Sequence, residues 1–129
     1  MSKILIVDDE PSIRTFLKDV ITRLGHDTVE AGNGKEAFEK FQKCEIDLSI
    51  VDINMPKMNG IEFLEAAKGV DSEAVVIMMT GYPSADTIIQ TIEDDGYTYI
   101  SKPLDLQRTM DLIDHGLAFR EKRLTRKKK

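Results

Sequence analysis

Short apolar runs that alternate with helical stripes limit this chain to very few folds. Ile4-Leu5-Ile6-Val7 is a continuous apolar run rich in β-branched residues, the pattern of a strand buried on both faces. Ile13, Phe16, Leu17, Val20, Ile21 and Leu24 then fall on one stripe of a helix, with Pro11 suited to its first turn and Gly25 to its end. Thr28-Val29 reads as a short second strand. Asn33 with Glu36 resembles a capping box that opens a helix carrying Ala37, Phe38 and Phe41. Ile46 to Val51 is the third strand. Asn59 and Glu62 repeat the cap before Ile61, Phe63, Leu64 and Ala67. Ala74 to Met79 is the fourth strand, and Ser84 or Asp86 caps a helix with Ile88, Ile89 and Ile92. Tyr97 to Ile100 is the fifth strand, and Leu106, Met110, Ile113 and Leu117 mark the last helix.

Strict strand–helix alternation calls for an α/β architecture: a doubly wound parallel sheet with helices on both faces. Right-handed crossovers leave few topologies, and the five-stranded order 2-1-3-4-5 is favoured. The 129 residues suit one domain.

In such a sheet ligands bind beyond the carboxyl ends of the strands, where strand order reverses. Strand one delivers Asp8-Asp9-Glu10 there, strand three Asp52, strand four Thr80, and strand five Ser101-Lys102-Pro103. Strand two ends at Glu30, on an edge away from the centre. Asp8, Asp9 and Asp52 converging in a cleft repel one another, which a hard divalent cation relieves, and Mg²⁺ favours few carboxylates plus waters and phosphate oxygens. Lys102 adds a compact positive charge and Thr80 a hydroxyl. A metal, a lysine and a hydroxyl around a carboxylate are what phosphoryl transfer needs, because that chemistry is mostly positioning and charge neutralisation. The carboxylate itself can be the nucleophile and form an acyl phosphate. Each residue alone has an ordinary structural explanation, as a turn, cap or strand former; the set carries the argument.

With these residues in view, the chain resembles a bacterial two-component response-regulator receiver domain of the chemotaxis-regulator type. The matching stretches are Ile4 to Glu10, Asp52 to Gly60, Met79-Thr80-Gly81 and Lys102-Pro103, and the likeness covers about residues 1–119. The resemblance implies a flavodoxin-like fold and a switch rather than a turnover enzyme, with only self-catalysed phosphoryl transfer and dephosphorylation. It implies Asp52 as phosphoacceptor, and Mg²⁺ held by Asp9 and Asp52, with Asp8 close by and the backbone carbonyl of Asn54 as a further ligand. Thr80 and Lys102 are implied to hold phosphoryl oxygens, and Thr80 with Tyr99 to form the switch pair. Pro103 matches a proline usually preceded by a cis peptide. The implied partners are a sensor histidine kinase or phosphotransfer protein, and an output protein or domain. The output would be met on the face made by the helix after strand four, strand five and the last helix. A strand-end lysine adds little to a core, so Lys102→Ala is expected to impair signalling more than folding.

There are departures. Asp95-Gly96 stands where the family often has Gly-Ala, Thr91 to Gly96 is acidic and poor in apolar residues, and Tyr82 is bulky beside the expected pocket. Two other functions compete. A metal-dependent phosphatase of similar layout needs an Asp two residues after the nucleophile; here that position is Asn54, which cannot titrate. A phosphorylation-dead interaction domain fits poorly with a complete residue set.

Charge and composition exclude other classes. The net charge is −5, but residues 120–129 hold seven basic residues and one acid, so the body is strongly acidic. That argues against direct nucleic-acid binding. No apolar run approaches a membrane span or a secretory signal. The single cysteine, Cys44, fits a reducing, cytoplasmic setting. His26 and His115 have no ligand partners at useful spacing, and the methionines read as core filler. The expected organisation is a receiver domain over 1–119 and a basic helix extension or tail over 120–129, whose positive charges repel, so that residues after about Arg123 are expected to be disordered or held only by another chain; a helix serving as a connector or dimer seam would instead stay ordered to Leu124 and beyond.

Overall fold

A computed structural model describes residues 2–55, 57–81 and 97–128. The expected helix over Ser84 to Ile92, the Thr91–Gly96 segment and Tyr82 lie outside the described residues. Five strands, β1 (Lys3–Val7), β2 (Asp27–Ala31), β3 (Leu48–Asp52), β4 (Val76–Thr80) and β5 (Thr98–Ser101), form one parallel sheet in the order β2-β1-β3-β4-β5. Helices α1 (Pro11–Arg23), α2 (Gly34–Lys43) and α3 (Gly60–Val70) connect the first four strands, and a C-terminal helix spans Leu106–Lys128.

The continuous apolar runs are buried on both sides, as a parallel sheet between helices requires. Alternate positions along each strand divide between two cores. Leu5, Val7, Val51 and Met78 pack with Phe41, Phe63 and Leu64 of α2 and α3, with Phe41 and Phe63 edge to face at 5.8 Å. Ile4, Ile6, Ile50 and Met79 pack with Leu17 and Ile21 of α1 and Ile113 of the C-terminal helix.

Local signals set most helix ends. Pro11 opens α1, and Gly25 takes a positive φ of 87° just past its end. Asn59 and Glu62 form a reciprocal capping box. At α2 only half of the box forms: Asn33 Oδ1 accepts from the Glu36 N–H at 2.9 Å, while the Glu36 carboxylate turns to Lys40 at 3.0 Å. That lysine holds the Glu36 carboxyl below its ordinary pKa.

The structure revises three expectations. β2 is five residues long rather than two, because pairing along β1 extends a half-exposed edge strand. Leu106 is 45% exposed, and Thr109 is buried instead, its hydroxyl donating to the Asp105 carbonyl at 2.6 Å. The C-terminal helix does not end near Arg123 but continues to Lys128. Long-range contacts anchor it as far as Arg123. Arg120 pairs with Asp71 at 2.8 Å, Arg123 donates to the Ala74 carbonyl at 3.1 Å and stacks 4.4 Å above Phe119, and Phe119 lies 4.9 Å from Tyr97.

Candidate functional site

β1 and β3 are neighbours whose outward connections run to opposite sides, so their carboxyl ends border the point where strand order reverses. Val7 pairs with Val51 and Asp52 with Met79, which sets Asp8 beside Asp52 at the same sheet edge. Thr80 pairs with Ser101, and Lys102 follows at once, its N–H donating to the Thr80 carbonyl at 2.8 Å. The Lys102–Pro103 peptide is cis. Strand alternation divides these residues. Asp8, Asp52 and Lys102 continue the series of Ile6, Ile50 and Ile100, on the side of α1 and the C-terminal helix. Thr80 and Tyr99 continue the opposite series, and Tyr99 packs against the core under α2 and α3.

Asp9, Glu10, Asp52, Asn54, Gly81 and Lys102 line one open cleft. Asp8 is fully buried behind it, and Asp52 is 4% exposed. The Lys102 ammonium, with a side chain only 15% exposed, lies 2.8 Å from Asp8 Oδ2, 3.4 Å from Asp52 Oδ2 and 3.5 Å from Glu10 Oε1. Asp52 Oδ1 accepts from the Asn54 N–H at 3.2 Å, and Asp8 Oδ1 from the Glu10 N–H at 2.8 Å. Burial, and then the Asp8 charge, push the Asp52 carboxyl above its ordinary pKa; Lys102 and the Asn54 N–H offset this only in part. Burial works against the Lys102 ammonium, but the Asp8 and Asp52 carboxylates outweigh it and its pKa is raised.

The structure thus brings Asp8, Asp9, Asp52, Asn54 and Lys102 together. Thr80, 1% exposed, is at the adjoining strand end but is not among the described residues that line the cleft. Two residues were missed by sequence reasoning as parts of the site. Glu10 adds a fourth carboxylate, which its place beside Asp8-Asp9 made legible. Arg14 donates to the Asp8 carbonyl at 2.7 Å, which nothing in the helix pattern of α1 announces.

The residues fit a hard divalent cation. Ligand oxygens of Asp8, Asp9 and Glu10 lie within 4.8 Å of one another. Asp8 Oδ2 is buried without a partner of hydrogen-bonding geometry, and Lys102 faces it as an ion pair only. A cluster with this much negative charge and open space in front can take a cation of the Mg²⁺ type and a phosphate oxygen together. Among the described residues, no helix is long and apolar enough to cross a membrane.

Known proteins share this layout. The model of the response regulator receiver domain matches residues 4–114. Sporulation initiation phosphotransferase F of Bacillus subtilis (strain 168) is 38% identical over 111 residues, which cover 86% of this chain and 90% of that protein. The crystal structure of a response regulator receiver domain protein (CheY-like) from Methanospirillum hungatei JF-1 superposes with a TM-score of 0.91 at 29% identity, over 95% of this chain and 98% of that one. A chain of the CheX–CheY–BeF3–Mg²⁺ complex from Borrelia burgdorferi gives a TM-score of 0.84 at 30% identity, over 88% and 87% of the two chains. Sheet order, strand-end chemistry and these likenesses agree over nearly the whole length, and the chain belongs to the family of response regulator receiver domains.

Proposed function

We propose that Asp52 accepts a phosphoryl group from a histidine kinase or phosphotransfer protein, and that the change is passed on to an output protein or domain. The observation that carries this reading is the Lys102 ammonium drawn in by Asp8, Glu10 and Asp52 over a nearly buried Asp52. In the transfer, an Asp52 carboxylate oxygen bonds to phosphorus as the bond to the donor breaks, and the donor imidazole leaves with the electron pair. Lys102 would follow the charge onto the phosphoryl oxygens, and the Thr80 hydroxyl, at the adjoining strand end, would join it by moving toward the cleft. Asp8, Asp9, the Asp52 carboxylate and the Asn54 carbonyl would hold Mg²⁺, which when bound neutralises phosphoryl charge. The likeness to the Mg²⁺-containing complex supports that metal. Hydrolysis of the acyl phosphate by water, within the same cleft, returns Asp52 and inorganic phosphate.

Thr80 and Tyr99 share a face, so a pull on Thr80 frees space beside Tyr99. The output face is then the one around β5 and the C-terminal helix, a shift between two populations. Residues 1–119 act as the receiver and 120–129 as a basic helical extension. Asn54 stands where a phosphomonoesterase would need a titrating acid, which disfavours that alternative. Incubation with Mg²⁺ and acetyl phosphate tests the reading. The wild type is expected to gain one phosphoryl group by mass and Asp52→Asn none; full labelling of that variant overturns it. NMR shifts at Tyr99 should accompany labelling.

A further inference from the structure

Asp8 is held by hydrogen bonds at three polar atoms and by an ion pair at the fourth. Its N–H donates to the Ala31 carbonyl of β2 at 3.2 Å, its Oδ1 accepts from the Glu10 N–H, and its Oδ2 faces Lys102. Its carbonyl oxygen, one residue beyond the end of β1, accepts from Arg14 Nη1 at 2.7 Å. That carbonyl belongs to the peptide joining Asp8 to Asp9. On the far side of Asp9, the Glu10 carbonyl is fixed by the N–H groups of Ile13 and Arg14, at 3.2 and 3.3 Å. Asp9 is therefore suspended between two anchored peptides, and Arg14 supplies an anchor on each. The guanidinium is itself held in place: Arg14 Nε lies 3.5 Å from Glu30 Oε1, and its side chain is 23% exposed. Glu30 also faces Lys18 at 3.8 Å.

We propose that Arg14 is a positioning residue of the metal and phosphoryl site. Its guanidinium sets the plane of the Asp8–Asp9 peptide, and through it the direction in which the Asp9 carboxylate enters the cleft. This rests on the reading of the cleft given under Proposed function. Arg14 touches neither the nucleophile nor the space in front of it, and acts only through the turn it braces. Glu30, at the end of an edge strand, thereby bears on the site through Arg14.

Charge and positioning make opposite predictions, so one measurement separates them. Arg14 carries a positive charge near a cation site. If it acted by charge alone, Arg14→Ala would bind Mg²⁺ more tightly. A brace predicts weaker binding, because a lost outer support of a metal ligand typically costs ten-fold or more in affinity. The experiment is calorimetric titration of Mg²⁺ into metal-free wild type, Arg14→Ala, Arg14→Lys and Glu30→Gln, with circular dichroism to check folding. The expected dissociation constant rises about ten-fold for Arg14→Ala, and less for Arg14→Lys and Glu30→Gln, which keep a cation or the carbonyl bond. Amide exchange at Asp9 and Glu10 in the metal-free protein should quicken in Arg14→Ala, while β1 and β3 amides stay protected. Unchanged or tighter Mg²⁺ binding in folded Arg14→Ala overturns the role of Arg14. So does unchanged exchange at Asp9 and Glu10, or, should Arg14→Ala not fold, unchanged Mg²⁺ binding in Glu30→Gln. A wild type that binds no Mg²⁺ and takes no phosphoryl group overturns the reading of the cleft instead.

Discussion

Lys102 Nζ lies closer to Asp8 Oδ2, at 2.8 Å, than to Asp52 Oδ2, at 3.4 Å. The lysine is therefore lodged chiefly on the fully buried carboxylate just after β1 and only secondarily on the one proposed to react. It is no solvated strand-end side chain, so the reason for expecting its loss to impair signalling more than folding, that a strand-end lysine adds little to a core, does not fit its surroundings. Removing one partner of a buried pair leaves an uncompensated charge. Lys102→Ala is expected to lose about 3 kcal/mol in denaturant unfolding at neutral pH without Mg²⁺, and to regain part of it when Mg²⁺ is added. The raised pKa of Lys102 means that its stabilisation is present below the ordinary lysine value and fades as pH rises through the folded value. An unfolding midpoint equal to wild type, with and without Mg²⁺, would contradict this.

Asp52 has the opposite sign. Its carboxyl is raised by burial and by Asp8, so the folded state holds its proton more tightly than the unfolded chain does. Stability is then unaffected below the ordinary carboxylate range and is lost as pH rises through the raised value. Asp52→Asn should melt at a higher temperature than wild type at pH 7, and the difference should close near pH 4. A constant difference at both pH values would show that packing, not charge, separates the two proteins.

The first residue of α2, Gly34, backs the loop that carries Asn54. A Cβ on Gly34 would lie 2.0 Å from the Met58 carbonyl oxygen, and backbone offers no rotamer to relieve the clash. Gly34→Ala is expected to cost about 2 kcal/mol, in the range of overpacked sites. It should also slow labelling by acetyl phosphate, because the shift is passed along the β3–α3 loop. Gly69→Ala, with nothing within 4 Å of its Cβ, is the control and should be neutral or slightly stabilising.

The C-terminal helix is clamped to the domain between Phe119 and Arg123. Arg120 reaches Asp71 and Arg123 reaches Ala74, both just before β4, while Phe119 meets Tyr97 just before β5. The Arg120 side chain is 13% exposed, so its pairing is worth more than a surface bridge. Arg120→Ala should cost on the order of 1–2 kcal/mol. Cutting the chain after Phe119 should lower the melting temperature by several degrees while leaving labelling of Asp52 intact. An unchanged melting temperature would mark these contacts as energetically idle.

How much of this was legible beforehand depends on the range of each interaction. The apolar runs Ile4 to Val7 and Ala74 to Met79, the Asn59 cap and the Pro11 start are local, because side-chain period and orphan backbone groups act within a few residues. They determined the elements, and with right-handed crossovers they favoured the sheet order that the structure shows, in which Asp8, Asp52, Thr80 and Lys102 share one edge. The length of β2, the half-formed box at Asn33, the burial of Thr109 in place of Leu106 and the clamp at Arg120 each needed a partner distant in the chain, or a competing neighbour such as Lys40. So did the choice of Asp8 over Asp52 by Lys102, and the hold of Arg14 on the Asp8 carbonyl. Which polar group meets which at a sheet edge is decided by register, twist and packing to within about an ångström, and a hydrogen bond is lost over a comparable distance. The sequence by itself determined which chemical groups are delivered to the edge; only the folded chain decided how they pair there.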